Sequence, residues 1–186
     1  MSSSASSTIA DRISQAEELK KAGNGYFQKG KYRKARVKYS TVFAYIKGLG
    51  AGGSEQGMAQ YASALRLDRP TPDEEQTIRA LSVSCSSNIA LCYFKLKEYE
   101  PCIEHSDRVL AIDPDHVKSL YRKGAALSRL DRDLETARGC LRKAVDLDPG
   151  KNSAAAAKEL TRVRRKLRDQ EAKSDKKLAK ALRGAL

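Results

Sequence analysis

The hydrophobic positions of this chain fall mostly in helical patterns, and the segments that carry them are related to one another. Residues 26–42 read YFQKGKYRKARVKYSTV, and residues 93–109 read YFKLKEYEPCIEHSDRV. The two segments share an initial Tyr-Phe, a Tyr six residues later and a closing Val. A third copy follows, because RVLAIDPD at 108–115 recurs as KAVDLDPG at 143–150. The chain therefore contains an internal repeat.

The length of the repeat predicts pairs of packed helices. The copies recur at a spacing of 34–35 residues, with a small residue inside a helix, a large apolar residue after it and a Pro near the end. One helix pair cannot bury its apolar face alone, so neighbouring pairs stack into a superhelix with a concave groove. The sequence thus predicts an all-α fold, a superhelix of three antiparallel helix pairs plus a long C-terminal capping helix.

Six segments are expected along the chain. They are a disordered Ser-rich N-terminus at 1–13, a first repeat at 14–49, a Gly-rich insert at 50–71, a second repeat with an extended first helix at 72–116, a third repeat at 117–151 and a basic C-terminal helix at 152–186. The insert also has the pattern of a short helix at 58–67. The helix after the insert should begin at Thr71-Pro72-Asp73-Glu74, because Thr caps a helix, Pro suits its first position and Glu closes a capping box.

The last helix divides into two predicted parts. Leu160, Val163 and Leu167 form an apolar stripe at helical spacing, so the first part is expected to cover the last repeat. The second part, from about residue 173, is expected to be exposed. Residues 158–186 contain 11 basic and 4 acidic residues, so this stretch holds much of the formal net charge of +13. Such a charge predicts attraction to acidic partners.

The sequence gives no sign of catalysis, of a cofactor or of a metal site. It has no phosphate-binding Walker loop, no G-x-S-x-G and no H-E-x-x-H, and both His105 and His116 are expected to be solvated surface residues. Its four cysteines form no C-x-x-C pair, which favours small buried thiols over zinc ligands or disulfides. No apolar run approaches the ~18 residues of a membrane span, and the N-terminus lacks a secretory signal. A cytoplasmic protein that is not an enzyme is expected.

Five polar residues lie on the predicted first helices of the repeats. The segment LKKAGNGYF supplies Lys20 and Asn24, SSNIALCYF supplies Asn88, and VKSLYRKG supplies Lys118 and Arg122. From about residue 16 onward the chain resembles the three-repeat tetratricopeptide-repeat (TPR) domain of the large immunophilins, and it is similar to the tetratricopeptide-repeat protein 9 group. In that family the motif Lys-x-x-x-Asn, Asn, Lys-x-x-x-Arg forms a carboxylate clamp for the C-terminal Glu-Glu-Val-Asp of heat-shock protein 90 or heat-shock protein 70. The resemblance implies a co-chaperone or adaptor that binds this tail.

The residue types suit the implied ligand. A C-terminal Asp offers two carboxylates, and two Lys, one Arg and two Asn offer cationic and neutral donors. The members of each Lys-x-x-x-Asn or Lys-x-x-x-Arg pair are four residues apart and share one helical face. Asn is also unfavourable inside a helix, and the chain has only three. The immunophilin isomerase domain has no counterpart here, so isomerase activity is not expected.

Two alternatives stay open at the level of sequence. The groove could bind an unrelated acidic peptide. The basic C-terminal helix could instead recruit the protein to calmodulin or to an anionic surface, and the resemblance implies a calmodulin-binding segment in a comparable place. Nucleic acid is not expected, because the C-terminal helix has no aromatic residue on which bases could stack.

Overall fold

The computed structural model describes residues 8–47, 49, 69–149 and 153–183. These residues form seven α-helices and no β-strand, as the sequence predicts. In chain order they are α1 (Ile9–Gln28), α2 (Tyr32–Ile46), α3 (Pro72–Lys95), α4 (Tyr99–Ile112), α5 (Val117–Arg129), α6 (Leu134–Leu147) and the long final helix α7 (Ala154–Arg183). The short helix expected at 58–67 lies outside the described residues.

The chain divides into two compact units, Met1–Leu96 and Lys97–Leu186. In the first unit, α1 packs against α2, α2 packs against α3, and α1 also contacts α3. Ala16 on α1 and Ala35 on α2 are completely buried. Small residues at these positions let the two helices approach closely, as the repeat pattern requires.

Helix α1 begins earlier than the sequence analysis predicts. Residues 1–13 were expected to be disordered, but the helix starts at Ile9. Thr8 is its N-cap: the Thr8 side chain accepts a hydrogen bond from the Asp11 amide, and the Asp11 carboxylate accepts one from the Thr8 amide, each at 3.1 Å. This capping box satisfies two amide groups at the helix start. The prediction was therefore wrong for residues 9–13.

Arg12, which lies in the same early turn, joins α1 to the end of α2. Its Nε donates to the carbonyl oxygen of Tyr45 at 2.9 Å, and its Nη2 donates to that of Lys47 at 3.2 Å. The last carbonyl groups of a helix have no partner within the helix. Arg12 therefore supplies a C-terminal cap to α2 from the neighbouring helix.

Helix α3 begins at the predicted capping box. The Thr71 side chain accepts from the Glu74 amide at 3.3 Å, and the Glu74 carboxylate accepts from the Thr71 amide at 2.8 Å. Pro72 occupies the first helical position, where its missing N–H has no cost. The helix then runs for 24 residues to Lys95, which confirms an extended first helix in the second pair.

In the second unit, α4 packs against α5, α5 against α6, and α7 against both α6 and α5. Leu160 and Val163 are buried and Leu167 is half-buried, so the first part of α7 covers the last pair as predicted. From Arg168 to Ala181 every residue of α7 is exposed. The predicted division of the last helix into a covering part and an exposed part is confirmed.

Polar contacts anchor the covering part of α7 to the end of α5. Glu159 accepts a hydrogen bond from Arg129 at 2.9 Å, and only 9% of its side chain is exposed. Lys166 donates to the carbonyl oxygen of Ser128 at 2.6 Å and to the carboxylate of Asp131 at 2.7 Å.

Among the described helices none is long and apolar enough to cross a membrane.

Candidate peptide-binding site

The five residues of the predicted clamp lie on three helices. Lys20 and Asn24 lie one turn apart on α1, and Asn88 lies on α3, all within the first unit. Lys118 and Arg122 lie one turn apart on α5, within the second unit. The motif is therefore divided, with three of its residues in the first unit and two in the second.

In the first unit, a buried cysteine of α3 interacts electrostatically with one of the predicted residues. Burial raises the pKa of the Cys85 thiol to about 11, and the charge of Lys20 opposes this shift. Asn88 follows Cys85 by three residues and precedes Cys92 by four, so these three residues share one face of α3. Asn88 is half-buried. Asn88 thus lies on the same face of α3 as Cys85, the thiol that the charge of Lys20 affects.

Asn24 has a fixed partner that the sequence analysis did not identify. The hydroxyl group of Tyr39 on α2 donates a hydrogen bond to Asn24 Oδ1 at 2.8 Å. Tyr39 is only 2% exposed, whereas Asn24 is an exposed residue. Burial raises the pKa of Tyr39 to about 12, with added contributions from Cys92 and Cys85. The phenol therefore stays protonated, and remains a donor, throughout the physiological pH range.

In the second unit, the two cations have different environments. Lys118 is exposed, whereas Arg122 is only 7% exposed. Burial raises the pKa of Cys102 to about 11, and the charge of Arg122 opposes this shift. The weakly polar surroundings of Arg122 increase its attraction for a carboxylate.

His116 is a helix cap and not the solvated surface residue that the sequence analysis expects. It is the N-cap of α5, and its Nδ1 accepts a hydrogen bond from the Ser119 amide at 3.2 Å. Its ring is half-buried. Burial lowers the pKa of His116 below its ordinary value of 6.5, Asp113 opposes this shift, and Arg122 and Lys118 add to it. The expectation was wrong because it treated His116 as a surface position and did not consider a capping role.

All four cysteines are unbridged, with Cys85, Cys92 and Cys102 buried and Cys140 half-buried. This agrees with the predicted role of small packing residues. In the part of the chain that the structure describes, no cluster of three or more His, Cys, Asp or Glu side chains has the arrangement of a metal site.

The five residues of the predicted clamp all offer hydrogen-bond donors. Lys and Arg donate only, and Asn24 has its acceptor oxygen engaged by Tyr39, which leaves its NH2 group for a ligand. Asn88 adds a second amide. Such a set suits a ligand that only accepts hydrogen bonds and carries negative charge, which is what a carboxylate does.

Comparison with known proteins supports the class that this fold indicates. The family signature of the tetratricopeptide repeat matches residues 85–116. The C-terminal TPR-containing domain of a Plasmodium falciparum FK506-binding protein has a TM-score of 0.73 and 25% identity, over 89% of this chain and 97% of that one. The chain thus contains a tetratricopeptide repeat at residues 85–116 and has the fold of a TPR domain.

Its relatives include immunophilins and co-chaperones. Human peptidyl-prolyl cis-trans isomerase FKBP4 is 27% identical over 166 residues, which are 89% of this chain and 32% of FKBP4. The Hsp90 co-chaperone Cns1 of Saccharomyces cerevisiae has a TM-score of 0.64 and 25% identity, over 93% of this chain and 46% of Cns1. The chain is homologous to the C-terminal TPR domain of FKBP4-type immunophilins and to Hsp90 co-chaperones.

The chain spans about a third of the length of the curated relatives it matches, with 32% of human FKBP4 covered. The isomerase domain of FKBP4 lies outside the matched part. The homology therefore extends to the TPR domain of these proteins and not to their catalytic domain.

Proposed function

We propose that this TPR domain is a co-chaperone or adaptor module that binds the C-terminal Glu-Glu-Val-Asp tail of heat-shock protein 90 or heat-shock protein 70. The residues proposed to hold the tail are Lys20, Asn24, Asn88, Lys118 and Arg122. The observation that carries the proposal is the hydrogen bond from Tyr39 to Asn24 Oδ1, which holds the oxygen and leaves the Asn24 NH2 group for a ligand in the same unit as Lys20 and Asn88. A groove that bound a neutral peptide would have no need of such a set.

The relatives support the choice of ligand. The name of Cns1 describes an Hsp90 co-chaperone, and its identity with this chain is 25% over 93% of the chain. A cytoplasmic location belongs to the same proposal. The two chaperones share the terminal tetrapeptide, so the clamp motif alone favours neither.

The expected affinity is micromolar, about −8 kcal/mol, because a short extended tail in an open groove makes few apolar contacts. Hydrogen bonds to charged groups contribute roughly 1.5–3 kcal/mol each, so a few of them account for most of this value. Salt should weaken the binding moderately, since Lys118 is exposed.

Titration calorimetry with four peptides tests the proposal. They are the C-terminal peptides of the two chaperones, each as the free acid and as the C-terminal amide. We expect both free acids to bind and both amides to bind at least tenfold more weakly, because amidation removes one negative charge and replaces one acceptor oxygen by an NH2 donor. Equal binding of acid and amide would refute the clamp and leave a TPR adaptor for another acidic peptide.

The exposed part of α7 supports a second candidate function. Residues 168–181 are all exposed, and Leu178 on this stretch is 61% exposed between several basic side chains. A basic helix with an exposed apolar residue is a feature of segments that bind calmodulin or acidic vesicles. Calmodulin binding stays a prediction that rests on the charge and exposure of this helix.

A further inference from the structure

We infer that Tyr39 determines the specificity of the proposed clamp for a free carboxylate, because its hydroxyl group holds Asn24 in the orientation that can only donate to the ligand. The inference rests on the proposed function and assigns a role to a residue outside the clamp motif. Tyr39 acts through Asn24 and is therefore a positioning residue. Three features of the first unit give Tyr39 this role.

The first feature is the fixed position of the Tyr39 ring. Tyr39 is 2% exposed and packs directly against Gly23, the residue before Asn24. A Cβ atom at position 23 would lie 2.6 Å from Tyr39 Cε1 and 2.8 Å from Cδ1, both too close for an ordinary contact. The ring thus fills the space that a side chain would take at position 23. This contact brings the hydroxyl group to Asn24 and restricts its movement.

The second feature is the direction of the hydrogen bond. Tyr39 Oη donates to Asn24 Oδ1 at 2.8 Å. A side-chain amide that is free to turn can present either its oxygen or its NH2 group to a ligand. If Asn24 turned over, the buried hydroxyl group of Tyr39 would lose this acceptor, and a buried donor without a partner is costly. The oxygen is therefore retained by Tyr39, and Nδ2 is the group left for the ligand.

The third feature is the chemical difference between the two ends that a peptide can have. A C-terminal carboxylate only accepts hydrogen bonds, whereas a carboxamide presents an NH2 group on one side. With its oxygen held toward Tyr39, Asn24 presents Nδ2 to the ligand, and this donor matches either oxygen of a carboxylate but only one of the two terminal atoms of a carboxamide. An Asn24 that can turn would accept from that NH2 group and tolerate both ends. Tyr39 should therefore contribute to discrimination between the two ends and not only to affinity.

The test compares wild-type protein with Tyr39→Phe, using a peptide that ends in Glu-Glu-Val-Asp as free acid and as amide. The phenyl ring keeps the contact with Gly23, so the fold is expected to remain, as checked by circular dichroism. We expect Tyr39→Phe to weaken binding of the acid about three- to tenfold and to leave binding of the amide equal or tighter. The ratio of the two affinities should fall by at least about fivefold. Tyr45→Phe, the same change on the same helix, should leave the ratio as in wild type.

A double-mutant cycle separates positioning from general packing. In an Asn24→Ala protein, Tyr39→Phe should no longer change the acid-to-amide ratio. Equal weakening of both peptides by Tyr39→Phe, or an unchanged ratio in a wild-type protein that does discriminate, would overturn the role of Tyr39 alone. A wild-type protein that binds acid and amide equally would overturn the clamp and, with it, this inference.

Discussion

Gly124 on α5 lies directly against Leu141 on α6. A Cβ atom at position 124 would lie 2.6 Å from Leu141 Cγ and 3.0 Å from the carbonyl oxygen of Ala137. Leu141 is completely buried, so it has little room to move away. The close approach of these two helices therefore requires glycine at position 124, in the way that the approach of Tyr39 requires it at position 23.

Gly124→Ala should destabilise the protein. Forcing a methyl group into this contact is expected to lower the free energy of unfolding by about 1–3 kcal/mol, measured by urea denaturation. Gly139→Ala on α6 is the matched control, because nothing lies within 4 Å of a Cβ atom at that position. There the better helix propensity of Ala should raise stability by up to about 1 kcal/mol. Equal midpoints for the two variants would show that close packing is not the reason for Gly124.

Lys118→Ala and Asn88→Ala should each weaken binding of the acidic tail by roughly ten- to a hundredfold, through loss of a hydrogen bond to a charged ligand. Lys118 is exposed, so the circular dichroism spectrum should not change. Lys21→Ala is the control: it removes the same charge from an exposed position beside Lys20. Adjacent helical residues point in different directions, so this variant should bind like wild type. An equal loss in Lys21→Ala would indicate a general effect of charge.

Arg122 is a less suitable position for this experiment. The residue is only 7% exposed, and its charge lowers the pKa of the buried Cys102 thiol against the effect of burial. Arg122→Ala should therefore lower the melting temperature as well as the affinity. Binding by this variant is best measured well below its melting temperature, so that the loss of affinity can be separated from unfolding.

The sequence contained the local features of this fold but not the contacts between helices. The capping box at Thr71 could be predicted because all its parts lie within four residues. The equivalent box at Thr8 was present in the sequence too, but the Ser-rich composition before it favoured disorder. The cap formed by His116 was missed because histidine is an uncommon N-cap. The bond between Tyr39 and Asn24 joins residues 15 positions apart, and only the packing of α1 on α2 brings them together.

The protein should become less stable as the pH is lowered, because His116 becomes protonated. Its folded pKa is lowered below 6.5, so the unfolded state binds more protons as the pH falls through this range. Protonation also places a hydrogen on Nδ1, which can then no longer accept from the Ser119 amide. We expect the free energy of unfolding to decrease by about 1 kcal/mol from pH 7 to pH 5, which is the size of a typical N-cap contribution. Urea denaturation at several pH values measures it.

His116→Asn is the control for the pH dependence, because Asn is a good N-cap that does not titrate. This variant should lose most of the change in stability between pH 7 and pH 5. A variant that kept the full pH dependence would assign it to other groups. A titration of the His116 ring by NMR should also give a midpoint below 6.5.

Deletion of residues 168–186 should leave the TPR domain almost unchanged. The contacts that anchor α7, including those of Glu159 and Lys166, all lie before the deletion. The affinity for the acidic tail should stay within about twofold, since exposed charges far from a ligand are largely screened by salt. If the second candidate function holds, binding to calmodulin or to acidic vesicles should disappear with the deletion and weaken steeply with salt. An intact protein that binds neither would remove that candidate.

The bonds from Arg12 to Tyr45 and Lys47 have a consequence for protein engineering. They fix the position of the chain where it leaves α2, and the Thr71 capping box fixes its position at the start of α3. Both ends of the intervening segment are thus held by contacts that do not involve residues 50–68. The entropy of closing a loop grows only slowly with its length. A reporter or an affinity tag inserted between Leu49 and Arg69 should therefore leave the Arg12 bonds and the Thr71 capping box intact.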